Sequence, residues 1–342
     1  MTPTQGSASE DTPGVADAAM KGWLPLQLRR DLDLVGADGR ALNRSVAAGD
    51  SIRLRRGVVV NAAGWDELQA VEKYLLRMRA VAATRRAQPV FSHQSAAVLW
   101  GLPIVGRWPD AVHLMVGAPR SAHSKNGVIW HHDVLTDEDV VTIDGMLVTS
   151  LVRTLLDLAR TTPFLSAVAS LDHGTTAKLI LPNRSVVAGV SKEELLDRLN
   201  QAGPRRGSRA AFEAISFSDN RSDSPGESLS RGQIHLCHFP APDLQVTFAS
   251  NDGHNDTVDF RWIQRQELRT VKLLGEFDGF VKYTRGEYLR GRTMDQVVWN
   301  EKVREDRVRL TSGHGMARWL WDTALRADRL RALLLQAGLR PE

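Results

Sequence analysis

The strongest constraint on the fold is a pair of apolar runs, Val258 to Ile263 and Thr270 to Phe277, around the charged turn Gln264-Arg265-Gln266-Glu267. Short apolar runs bounded by a polar turn predict two paired strands. Pairing brings Asp259, early in the first run, toward Glu276 and Asp278 at the end of the second, with Lys282 just beyond. Glu276 and Asp278 are two residues apart, so they point the same way on an extended chain. Three carboxylates at one sheet end repel each other and call for a cation or a shared proton. An all-oxygen donor set suits Mg²⁺ or Mn²⁺. Such an ion can activate water and stabilise in-line displacement at phosphate.

The flanking segments extend this reading. Ser224-Pro225-Gly226-Glu227-Ser228 precedes the strands, and the charged run Glu301-Lys302-Val303-Arg304-Glu305-Asp306-Arg307 follows them, leading to Met316-Ala317-Arg318-Trp319-Leu320-Trp321. In this order and spacing the segment resembles the PD-(D/E)XK nuclease core, in the form found in domains similar to very-short-patch-repair (Vsr) endonucleases. The resemblance implies a metal-dependent DNA endonuclease site. Asp259 and Glu276 would hold Mg²⁺, Asp278 would orient water, Lys282 would stabilise the phosphate, and Glu227 would act from the first helix. One departure stands out: the position of the motif lysine, two residues after Glu276, holds Asp278. Lys282 or Lys302 would have to substitute. Each residue also has a plainer role. Asp259 suits a strand edge, Asp278-Gly279 a turn, and Lys282 the surface. Glu227 completes a capping box with Ser224.

The front of the chain is organised differently. Between Lys21 and Ala62 eight Lys/Arg face four Asp/Glu, so this segment alone carries the whole net charge of +4. Leu24, Leu26, Leu28, Leu32 and Leu34 mark a first apolar helix, and Gly36-Ala37-Asp38-Gly39 a turn with Asp38 as N-cap. Ala41, Leu42, Val46 and Ala47 give a second helix its apolar face, opposite Arg40, Asn43 and Arg44. Ser51 to Val60 alternates and turns at Gly57. Helix, turn, helix and basic hairpin is the order of a winged helix-turn-helix. In such a domain Arg40, Asn43 and Arg44 would reach base edges, and Arg53, Arg55 and Arg56 would meet phosphates. The plainer reading is a solvated basic helix beside a basic hairpin.

The segments Arg53-Leu54-Arg55-Arg56-Gly57-Val58, Phe91-Ser92-His93-Gln94-Ser95-Ala96-Ala97, Trp100-Gly101-Leu102-Pro103, Val112-His113-Leu114 and Val148-Thr149-Ser150-Leu151-Val152-Arg153-Thr154-Leu155-Leu156-Asp157 follow. They resemble the AbiEi-type antitoxin family. That resemblance implies a transcriptional regulator of a toxin–antitoxin operon, with double-stranded DNA and a cognate toxin as partners. A homodimer would suit a palindromic site.

The expected architecture is a multidomain α+β and α/β protein. Residues 1–20 form a flexible polar tail and 21–62 the winged helix-turn-helix. Residues 63–160 form a small α+β domain and 161–221 a helical connector. Residues 222–342 form the restriction-endonuclease-like α/β domain. Trp65 to Arg86 predicts one long helix, and Val112 to Val116, Gly127 to His131 and Val140 to Val148 predict strands. His93, His113, His131 and His132, with Asp133, could suggest a metal site, but they match no standard ligand spacing and are expected to be structural. Arg205, Arg206 and Arg209 could touch a backbone phosphate, but a solvated helix end is the favoured reading.

The composition excludes some classes. The single cysteine, Cys237, excludes an intrachain disulfide and fits a reducing cytoplasm. No apolar run approaches the roughly 18 residues of a membrane span, so no membrane partner is expected. Three functions remain: a DNA-binding regulator with a nuclease-like rear domain, a metal-dependent endonuclease delivered by the winged helix, and an antitoxin that binds a partner protein.

Overall fold

The computed structural model describes residues 24–34, 40–117, 124–249, 253, 255–279 and 294–342, except for the side chains of 294, 295, 297, 298, 300 and 301. The expected tail, the turn at Asp38 and Lys282 lie outside the described residues. The chain is a multidomain α+β protein of two compact units. The first comprises the chain up to Leu102, Gly106–Asp157 and Lys178–Gly189. The second comprises Pro103–Val105, Leu158–Ala177 and Val190–Glu342.

The first unit begins with β1 (Gln27–Leu28), α1 (Arg29–Leu34), α2 (Arg40–Ala48), β2 (Ser51–Arg55) and β3 (Val58–Asn61). The strands form an antiparallel sheet in the order β1-β3-β2. Leu42 is the buried residue of α2, and Val58, Val59 and Val60 are all buried in β3. Gly57, at φ +78°, turns β2 into β3, a conformation glycine adopts without steric cost. The leucine run from Leu24 is not one helix. Its early spacing of two is the strand period, and Gln27 and Leu28 pair with Val59 and Val58.

Next come α3 (Ala62–Glu67) and α4 (Ala70–Ala83), where one helix was expected. The break has a local cause. Leu68 is extended, and Gln69 starts α4 with its N–H donated to Glu72 Oε2 at 2.7 Å. The unit continues with β4 (Val90–Phe91), α5 (His93–Trp100), β5 (Val112–Gly117), β6 (Val128–Asp133), β7 (Val140–Ile143) and β8 (Met146–Thr149). These strands form a five-stranded sheet in the order β6-β5-β4-β8-β7. The predicted strand Val140 to Val148 is a hairpin instead, because Asp144 and Gly145 both take positive φ at its centre. α6 (Leu151–Thr161) follows.

The second unit contains α7 (Phe164–Gly174), and the short pair β9 (Leu179–Ile180) and β10 (Val186–Val187) belongs to the first. Then follow α8 (Lys192–Gln201), α9 (Ser208–Phe217), α10 (Pro225–Leu236), β11 (Asp243–Ala249), β12 (Asn255–Arg265), β13 (Thr270–Phe277), α11 (Met294–Ser312), β14 (Gly315–Trp319), α12 (Trp321–Ala324) and α13 (Ala327–Gln336). The sheet runs β11-β12-β13-β14, antiparallel except for the parallel pair β13–β14. The predicted apolar runs are therefore neighbouring strands, closed by the Gln266–Arg269 turn.

Apolar side chains cover both faces of this sheet, as its helix-spanned topology requires. Phe260, Trp262, Leu273 and Trp319 pack with Leu229 and Leu330 on one face. Val258 and Leu274 pack with Val308 on the other. Gly275 leaves room for rings, since a Cβ there would lie 2.6 Å from Trp319 and 2.9 Å from Trp262.

The β11–β12 pair carries an irregularity. Leu244 belongs to the first face and Val246 packs against the second; likewise Phe260 and Val258. Residues two apart on a regular strand share a face. Here the faces exchange at Gln245 and Asp259, where the register skips a pair and Gln245 takes φ +52°.

Candidate functional site

The exchange lies at the acidic end of the second unit's sheet. The β12–β13 register ends at the pair Phe260–Gly275, and Asp259 and Glu276 are the next residues on their strands. Asp259 Oδ2 accepts the Phe277 N–H at 2.7 Å, and the Asp278 N–H donates to the Trp319 carbonyl at 2.9 Å. The predicted strand pairing thus gathers Asp259, Glu276 and Asp278 at neighbouring positions.

Arginines meet these carboxylates. Glu276 is only 4% exposed, with Oε1 2.6 Å from Arg304 and Oε2 2.9 Å from Arg318. Arg318 also reaches Asp278 at 3.0 Å and Glu305 at 3.3 Å. Arg307, three residues along α11 from Arg304, binds Asp256 at 2.6 Å. Lys302, on the same helix, is exposed. The sequence marks α11 as strongly charged but gives no sign that its arginines answer the strand carboxylates. The nearest signal is Arg318 itself, which the β13–β14 register places beside Glu276.

Glu227 fills the capping role, and its carboxylate also reaches the sheet edge at Gln245. Ser224 caps α10, its Oγ accepting the Glu227 N–H at 3.2 Å and donating to Glu227 Oε1 at 2.7 Å. Glu227 Oε2 accepts the Asp223 N–H at 2.9 Å and Gln245 Nε2 at 2.7 Å. The reversed Gln245 therefore ties the helix start to the sheet. Burial pushes the Glu227 carboxyl above its usual range, against its hydrogen bonds from Ser224 and the Asp223 N–H.

The approach of α10 to this end depends on Gly226. A Cβ there would lie 1.9 Å from the Phe277 ring. Phe277 is buried and its N–H is held by Asp259, so the ring has little freedom to yield. Gly226→Ala should lower stability by about 1–3 kcal/mol. Thermal unfolding would show it, and an unchanged midpoint would refute this close packing.

The second candidate region is the basic front of the first unit. Arg29, Leu42, Asn43, Arg53, Arg56, Gly57 and Val59 line a cavity of about 510 Å³. Arg53 Nη2 donates to Asn43 Oδ1 at 2.8 Å, linking β2 to α2. Arg40 and Arg44 are exposed on α2. Arg55 does not line this cavity. The register shifts between Arg53 and Arg55, and burial followed by Arg85 lowers its pKa. Nothing in the sequence marks Arg29, because a backbone hydrogen bond, Arg29 N–H to Gly57 O at 2.9 Å, brings it to Gly57.

The scattered histidines also converge in part. His93, His113 and His131 meet in the first unit, whereas His132 points to solvent. Burial, with His131 adding to it, pushes His113 down to about 4. Burial, with His132 and Arg153 adding to it, pushes His131 down to about 4.

No family model matches the chain. No curated protein matches it either. Among solved structures it is similar to one described as the crystal structure of RV2827C protein from Mycobacterium tuberculosis. The TM-score is 0.37 and the identity 16%, over 65% of this chain and 78% of that one. A likeness at this level defines neither a family nor an activity. Among the described residues no helix is long and apolar enough to cross a membrane.

Proposed function

We propose that this chain is a cytoplasmic DNA-binding regulator whose front end acts as a winged helix-turn-helix, as its resemblance to AbiEi-type antitoxins implies. The observation that carries this reading is the cavity bounded by Arg29, Asn43, Arg53 and Arg56, beside the exposed Arg40 and Arg44 of α2. Guanidinium groups set around a concave surface suit phosphate oxygens, and a neighbouring helix with exposed long donors suits base edges. In this arrangement Arg53 and Arg56 position the backbone, while Arg40, Asn43 and Arg44 read sequence. Arg55 contributes less than the other two hairpin arginines.

The test is fluorescence anisotropy with a duplex from the gene's own upstream region and a random duplex, over a series of salt concentrations. The double variant Arg53→Ala/Arg56→Ala should weaken binding to both duplexes and lower the salt slope by about two. Arg44→Ala should reduce discrimination between them. Binding that ignores all three substitutions would end this reading. A cognate toxin and a dimer are further expectations of the same resemblance. Co-purification with a neighbouring gene product and light scattering test them.

In the rear unit we read a nuclease-like fold whose acidic end supports structure. Carboxylate oxygens suit Mg²⁺ in kind, but each Glu276 oxygen already accepts an arginine, and Asp278 shares one of them. Guanidinium groups in those positions oppose a divalent cation. The described residues therefore do not fit the ion as they stand. The endonuclease reading needs Arg304 and Arg318 to leave Glu276 and places its lysine role on Lys282.

A further inference from the structure

His93 opens α5, His113 lies on β5 and His131 on β6, yet one nitrogen from each ring lies within 4.8 Å of the other two. His113 Nδ1 and His131 Nε2 are 2.9 Å apart. The His93 and His131 rings stack, with centroids 3.5 Å apart and planes 16° apart. His93 and His113 are buried and His131 is half-buried. His132, the next residue on β6, is exposed, so strand alternation selects one of two adjacent histidines for the cluster.

Packing alone accounts poorly for this arrangement. Two neutral imidazoles can satisfy each other with one donor and one acceptor, and a third ring, its Nδ1 beside Ser92 Oγ, is drawn into the same buried space. His93 joins at a cost, because its backbone takes φ +50°, a region that non-glycine residues seldom adopt and that concentrates at functional sites. The surroundings are acidic. Arg153 reaches Asp133 at 2.6 Å, Asp157 at 3.0 Å and Asp139 at 3.9 Å, a quartet of formal charge −2. Asp157 also lies 3.9 Å from His93 Nδ1, and Ser92 Oγ lies 3.1 Å from it. A hydroxyl hydrogen-bonded to one ring nitrogen orients a histidine ligand of a metal site, and the Asp157 carboxylate adds negative charge nearby.

We propose that His93, His113 and His131 form a nitrogen-donor site for one divalent transition-metal ion of the zinc class. Three imidazoles suit zinc, cobalt, nickel or copper and discriminate against Mg²⁺ and Ca²⁺. Zinc–nitrogen bonds of roughly 2.0–2.1 Å in tetrahedral geometry need the His113–His131 contact to open and one ring of the His93–His131 stack to turn, so that all three nitrogen lone pairs meet at one point. The ion would tie the start of α5 to both β5 and β6, and so stabilise the first unit without involving the acidic end of the second. Sequence spacing hides this site, because its ligands come from three separate elements.

The test uses the tag-free full chain, stripped with a chelator and titrated with Co²⁺. The expected result is one equivalent bound, with the strong visible absorption of tetrahedral nitrogen-ligated cobalt, displaced by Zn²⁺. Oxygen-ligated cobalt at a carboxylate cluster absorbs only weakly, which separates the two regions. His131→Asn and His93→Gln should each weaken binding by more than the roughly 10–100-fold that loss of an outer-shell partner costs, and His132→Ala should leave it unchanged. Circular dichroism checks that the variants fold, and the wild-type titration decides even where they do not. No strong cobalt band in the folded wild type, or a band lost with His132→Ala but kept in His131→Asn, would overturn the proposal.

Discussion

Asp172→Ala should be among the most destabilising single substitutions in the second unit, at about 3–5 kcal/mol. Arg231 on α10 donates to both Asp172 oxygens on α7, at 3.0 and 2.8 Å, and to the Phe217 carbonyl at 2.9 Å. The Asp219 N–H also donates to Asp172, at 2.8 Å. The two side chains are 1% and 8% exposed, so water cannot replace a lost partner. Burial pushes the Asp172 carboxyl upward, and Arg231 opposes the shift. The pair itself therefore adds little net stability, but either half alone is a stranded charge. A double variant, Asp172→Leu/Arg231→Met, should recover much of the loss, because apolar groups of similar volume often replace buried ion pairs without penalty. Denaturant unfolding of the single and double variants would measure both effects. A single-variant loss below about 1 kcal/mol, the range of surface pairs, would show that the pair is not desolvated as described.

Glu276→Gln should also destabilise the protein, by about 1–3 kcal/mol, a figure reduced because Arg318 is partly exposed and keeps Asp278 and Glu305. The sign matters more than the size. In an acidic cluster built for a metal, removing one carboxylate relieves repulsion and stabilises the metal-free protein. In a cluster already answered by arginines, the same change leaves Arg304 and Arg318 short of a counter-charge. Purified protein should accordingly fail to nick supercoiled plasmid with Mg²⁺, Mn²⁺ or chelator. Stabilisation by Glu276→Gln, together with metal-dependent nicking lost in Asp259→Ala, would restore the endonuclease reading and make Asp278 and Lys282 the next residues to change.

What the sequence reveals follows from how local each feature is. The paired strands β12 and β13 are legible because their apolar runs and turn are contiguous. The α10 cap is legible because Ser224 and Glu227 meet within one turn. β4, the central strand of the five-stranded sheet, is only Val90–Phe91, too short to show a period. The break between α3 and α4 hides in an apolar spacing that continues across it, and only the Gln69–Glu72 contact marks it. At the candidate sites the acidic residues could be read, but their partners could not. Arg304 lies 28 residues from Glu276, and Arg231 lies 59 from Asp172. Pairings at that range are fixed by tertiary packing and leave no local trace. The same holds for the three histidines, whose spacing along the chain says nothing about their meeting.

The reversal at Gln245 has a consequence for solubility. Among the described residues β11 is an outer strand of its sheet, and an outer strand offers open backbone groups to any other extended chain. Because Gln245 interrupts the strand near its middle, an incoming segment could follow the first half or the second but could not run straight along both. The residue that ties Glu227 to the sheet thus also guards against edge-to-edge aggregation, and replacing it with a residue that prefers regular β backbone would remove that guard.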